Sequence, residues 1–400
     1  MILDDIIDHT SIITKPTFKE SRKPKECFQK YRSKTEHLGI EDYLALARCF
    51  HLGIGVEKND FFAFEYLCRC IQFNAFPESK KEKRLDLLIR AALRVLFQEW
   101  NEAWDSGEAH YCLGNAILLC NSPVYADYLI EFFPHSMGIK GQDEIRREGM
   151  QYIQRASELG YGDATFTLAI AKYIEDHRLG DHLLTSRCAW HLDQGLIQRA
   201  AAQGSQRAKL LYASSRYANT ESLCQQIIDS NVYDFWDTYG FAQEKMGFVM
   251  LQKGDTQQAL SYFRSGSSHV LNGTGHTSDP AAASLIGDAF WKAGELDMAS
   301  YYYGQLGDDV QTYIDRCVNS ENMKYSRSLL QHINDHVAYR GYVGAGREAI
   351  EGARRSLEHG DDRWTGYRPF TFVEQRFLTL PQIETYAAID RKWKEDHEKK

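Results

Sequence analysis

Residues 42–74, DYLALARCFHLGIGVEKNDFFAFEYLCRCIQFN, decide the fold. Tyr43, Leu46, Ala47 and Phe50 fall at i, i+3, i+4 and i+7, the spacing of one helical face. Gly53 and Gly55 then interrupt the pattern, and glycine permits the positive φ and close backbone approach of a sharp helix-to-helix turn. Asn59 is placed to cap a second helix, and Asp60 suits the positive end of that helix. Ala63, Tyr66, Leu67, Cys70 and Ile71 form its apolar face, again at helical spacing. Neither helix can hide its apolar face alone, so such a hairpin requires neighbours of the same kind.

Leu46-Ala47, Phe50, Gly53, Gly55-Val56, Asn59, Ala63, Tyr66 and Asn74 resemble the Sel-one-like repeat, a relative of the tetratricopeptide repeat. Ala47 stands where that pattern prefers Gly, Asn59 where it prefers Asp, and Cys70-Ile71 with Asn74 replace its Ala pair and closing Gly. A second, split unit carries Ala109, Leu113-Gly114 and Ile117, then Tyr152, Ala156-Ser157 and Gly160. A third opens at Ala164 with Leu168-Ala169 and closes at Ala200-Ala201 and Gly204. Further on, Gly247, Met250, Gly254-Asp255, Ala259, Phe263 and Gly266 resemble a plain tetratricopeptide unit. Gly287, Phe290, Gly294-Glu295, Ala299, Tyr303 and Leu306 repeat it in register. The resemblance implies an all-α, right-handed α-solenoid of antiparallel helix hairpins, and a protein-interaction scaffold in place of a chemistry. Bacterial relatives of this type are often regulators or immunity-type proteins.

The expected layout is a basic helical cap over residues 1–40, a solenoid over 41–317 and a helical region with a charged tail over 318–400. Inserted loops are expected near 120–143 and 176–186, where insertions emerge on one face of a solenoid. Residues 19–34 are rich in Lys and Arg, but Phe28 and Tyr31 sit at i, i+3. A solvated capping helix is therefore favoured over a nucleic-acid arm, because terminal repeats need a polar outer face.

Composition narrows the function classes. A net charge of −8 and a pI near 6.0 make the whole chain a poor general binder of nucleic acid. The opening MILDDIIDHT lacks the positive and long apolar regions of a secretory signal. The uncharged run 111–126 is short for a membrane span and contains Asn115, Asn121 and Pro123. Nine cysteines, scattered through helix-like segments, suggest reduced thiols and a cytoplasmic setting. Cys68 and Cys70, two apart on a helix, point to different faces, and Cys188 with His191 has no second ligand pair nearby.

No H-E-x-x-H, Walker loop, nucleophile elbow or dinucleotide fingerprint is present. The 273–278 segment, GTGHTS, lacks the Lys of a phosphate loop. Gly341, Gly344, Gly346 and Arg347 read as a turn between helices. The chain is therefore expected to be non-enzymatic, with no metal, cofactor or small-molecule substrate, and to grip a protein partner. Arg363, Trp364, Tyr367, Arg368, Phe370, Phe372 and Phe377 crowd into one stretch that leaves the repeat pattern, and are the candidate contact residues. Two alternatives stand beside this reading: a catalytic module within 318–400, and nucleic-acid binding through the basic arm.

Overall fold

The computed structural model describes residues 11–32, 39–74, 79–120, 123–129, 131–133, 142–176, 192–213, 219–230, 238–267, 280–295, 298–299 and 302. Every regular element among them is a helix. The first are α1 (Ser11–Thr14), α2 (Phe18–Arg22), α3 (Pro24–Arg32), α4 (Ile40–Leu52), α5 (Asp60–Phe73) and α6 (Lys80–Glu102). They are followed by α7 (Gly107–Leu119), α8 (Pro123–Leu129), α9 (Gln142–Glu158), α10 (Gly162–Asp176), α11 (Gln194–Ala202) and α12 (Gln206–Ala213). The last four are α13 (Thr220–Ser230), α14 (Thr238–Gln252), α15 (Thr256–Ser267) and α16 (Pro280–Lys292). The chain divides into two compact units between Tyr212 and Ala213. Adjacent helices pack in pairs, α4 on α5, α7 on α9, α10 on α11 and α14 on α15, consistent with a helical-repeat arrangement.

The first hairpin forms as its sequence dictates. Gly53 ends α4 at φ 68°, in the left-handed region, and Gly55 follows at φ 73°. A Cβ at Gly55 would lie 2.5 Å from the Pro24 carbonyl oxygen, so α3 can approach this turn only because the position is glycine. The Asn59 side chain accepts from the Phe62 N–H at 2.8 Å and caps α5. The same left-handed stop recurs two residues past the ends of α9, α11, α14 and α16, at Gly160, Gly204, Gly254 and Gly294.

Aromatic rings tie the hairpins together. Phe28 of α3 meets Phe50 of α4 edge-on at 5.6 Å, and Phe50 stacks on Tyr66 of α5. Phe61 packs on Tyr111 of α7 at 4.6 Å, and the Tyr111 hydroxyl shares a 3.0 Å hydrogen bond with Thr167 of α10. Before α7 stands a 23-residue helix, α6, opened by a capping box between Ser79 and Glu82. Phe97 and Trp100 of α6 pack on Phe64 of α5, with rings at 6.4 and 5.5 Å. The insertion near 120–143 contains α8 and folds back on α6, where Phe132 stacks on Phe97 at 4.1 Å. The insertion near 176–186 lies almost wholly outside the described residues, as does everything from 303 onward.

Small residues set the hairpin spacing. Ala63, Ala259 and Ala299 are fully buried. A Cβ at Gly114 would meet the Gly149 carbonyl oxygen at 2.8 Å, and one at Gly247 would collide with the Phe263 ring at its Cε1. Gly287 lies within α16. Ala259→Leu forces three carbons into the closed α14–α15 contact. It is expected to cost about 1–3 kcal/mol, read as a lower urea midpoint. An unchanged midpoint would refute this packing.

Candidate metal centre

The turn of the first hairpin carries more than packing. His51 occupies the last turn of α4, and Asp60 is the first residue of α5. The glycine turn folds the chain back so that His51 Nδ1 stands 2.8 Å from Asp60 Oδ1. Glu99 arrives from α6, held between the docked Phe97 and Trp100, and its Oε1 lies 3.5 Å from His51 Nε2. The ligand-type atoms of His51, Asp60 and Glu99 all fall within 4.8 Å of one another. His51 is 3% exposed, whereas the Glu99 side chain is 42% exposed and opens the cluster to solvent.

Lys58 lies between the two acids, its Nζ 3.5 Å from Asp60 Oδ2 and 3.6 Å from Glu99 Oε2. Behind them, Glu108 of α7 accepts the Asp60 backbone N–H at 2.9 Å, fixing the start of α5. Burial raises the Glu108 carboxyl above its ordinary range, and the Asp60 charge adds to the rise. Burial also drives the Cys112 thiol far up, with further contributions from Glu108, Asp60 and Glu65.

This cluster corrects the expectation of a purely non-enzymatic scaffold without a metal or small-molecule ligand. A site of ligand type is built into the repeat, with a buried imidazole between two carboxylates. Sequence reasoning assigned Asp60 to the helix dipole and passed over His51 and Glu99. Their one legible signal was a His and an Asp flanking the glycine turn.

The other residues singled out in the sequence do not join them. Gly53, Gly55, Ala63, Gly114, Gly160, Gly204, Gly247, Gly254, Ala259, Gly287, Gly294 and Ala299 sit in turns and helices. Arg363, Trp364, Tyr367, Arg368, Phe370, Phe372 and Phe377 lie outside the described residues, as do Cys188 and His191. Cys68 and Cys70 are buried free thiols, and Cys70 Sγ faces the Ile40 carbonyl at 3.7 Å. The basic arm packs as helices: Phe28 is buried, Tyr31 donates to Glu20 at 3.0 Å, and Lys23 pairs with Glu26. No described helix is long and apolar enough to cross a membrane. Compared with known proteins, the chain matches no family model and has no significant match among curated proteins.

Proposed function

We propose that this chain is a metal-binding helical-repeat protein, of Sel-one-like type, that holds a divalent transition-metal ion at His51 and Glu99, with Asp60 orienting the imidazole from behind. A hydrogen-bonding conflict at the buried imidazole carries the reading. A neutral ring that donates from Nδ1 to Asp60 turns the lone pair of Nε2 toward the Glu99 carboxylate. Two acceptors then face each other at 3.5 Å, and a cation between them removes the repulsion. An imidazole with a carboxylate suits zinc, iron or manganese better than calcium. His51 Nε2 and Glu99 would hold the ion directly, and the remaining coordination positions would fall to solvent, as they do in catalytic but not in closed structural zinc sites. Such an ion lowers the pKa of bound water and polarises substrate oxygens, so the reaction class it supports is metal-assisted hydrolysis.

The chain's own residues prepare this position. Asp60 orients the ring, Glu108 anchors the Asp60 backbone, and the half-exposed Lys58 neutralises the acids and can swing clear. The test is calorimetric titration of EDTA-treated protein with Zn²⁺, Mn²⁺ and Mg²⁺. One site saturating with Zn²⁺ or Mn²⁺, and much tighter than Mg²⁺, is expected. Absence of saturable binding by all three ions overturns the proposal.

A further inference from the structure

A cavity of about 300 Å³ opens beside the metal cluster, in the first compact unit. One wall is the α4–α5 turn with Lys58 and the start of α7 with Glu108. The opposite wall is the start of α10 with Asp163 and the start of α12 with Gln206 and Arg207. Phe50 and Phe62 supply an apolar side. The far wall is closely packed: a side chain at Gly162 would collide with the Ser205 amide at 2.6 Å.

The lining carries charges of both signs and an unused acceptor. Asp163 accepts from Ser205 Oγ at 2.5 Å. Glu108 stands on one side of the cavity with Lys58, and Asp163 on the other with Arg207. The Gln206 Oε1 is buried and has no hydrogen-bond partner among the described residues. A buried acceptor without a donor is destabilising, and a ligand N–H would satisfy it.

We infer that this cavity binds a free α-amino acid with an apolar side chain. Its ammonium would be taken by Glu108, Asp163 and Gln206, its carboxylate by Lys58 and Arg207, and its side chain by the Phe50 and Phe62 rings. A simple cation would be repelled by Lys58 and Arg207, and a simple anion by the two acids. A zwitterion satisfies both sets, and the volume suits a single residue-sized ligand.

The test is calorimetry on EDTA-treated full-length protein, which makes its outcome independent of the metal reading. The probes are L-leucine and L-phenylalanine, with N-acetyl-L-leucine, which lacks the ammonium, and L-leucinamide, which lacks the carboxylate. Saturable binding of leucine or phenylalanine is expected, with both capped leucines at least tenfold weaker than leucine. Gln206→Ala and Lys58→Met, checked for folding by circular dichroism, should each weaken the amino acid tenfold or more. No binding by either free amino acid overturns the inference. Equal binding of N-acetyl-L-leucine and leucine, or unchanged affinity in both folded variants, does the same.

Discussion

His51→Ala is expected to release the metal from this protein. The imidazole is the one nitrogen donor of the cluster, and it stands between the two carboxylates. Disturbing a residue that merely orients a ligand typically weakens a metal site about 10–100-fold, so losing a ligand should cost at least about 100-fold. Metal binding also stabilises the fold by mass action, about 2.7 kcal/mol when free ion is at a hundred times its dissociation constant. Zn²⁺ should therefore raise the melting temperature of the wild type and leave that of His51→Ala unmoved. Glu99→Gln removes the carboxylate at Nε2 from the half-exposed side of the cluster without touching the turn, so it separates lost coordination from lost folding. Retention of metal by both variants, measured by elemental analysis, would refute the assignment. So would equal melting shifts in wild type and His51→Ala.

The hairpin was readable because its determinants are local. Gly53, Gly55 and Asn59 each act within a few residues, through backbone φ or a cap three residues away. The metal cluster was not readable in this way. His51 looks like any residue in the last turn of an apolar helix, and Asp60 like a charge placed for a helix dipole. Their meeting with Glu99 depends on how α6 crosses the hairpin, which Phe64, Phe97 and Trp100 decide by packing. The cavity beside it depends on four helix starts converging, and no spacing in the sequence encodes that.

The same limit hid an ion pair that anchors the first helices. Replacing Arg48 by Met is expected to destabilise the protein by about 3–5 kcal/mol, because it leaves a buried carboxylate without its counter-charge. Glu20 is wholly buried and takes Arg48 in a forked pair, with Nη2 2.6 Å from Oε1 and Nε 3.0 Å from Oε2. Its remaining acceptor sites receive the Thr17 N–H at 2.7 Å and the Tyr31 hydroxyl at 3.0 Å. Arg48 also donates Nη1 to the Ile12 carbonyl at 2.9 Å, so the pair ties α1, α2 and α3 to α4. Glu20→Leu alone should be similarly costly, since it strands the guanidinium. The double variant should lose far less than the two singles combined, because the stranded charge disappears along with its partner. Acidity supplies an independent check. Burial pushes the Glu20 carboxyl up, but hydrogen bonds from Arg48 and Thr17 outweigh it and hold the group below its ordinary 4.5. A carboxyl with a depressed folded-state pKa stabilises fully above its unfolded value, and that contribution fades as pH falls through the folded value. The gap in urea midpoint between wild type and the double variant should therefore be widest near neutrality and narrow in acid. A gap that stays constant or widens as the solution is acidified would show that Glu20 is not held ionised by Arg48.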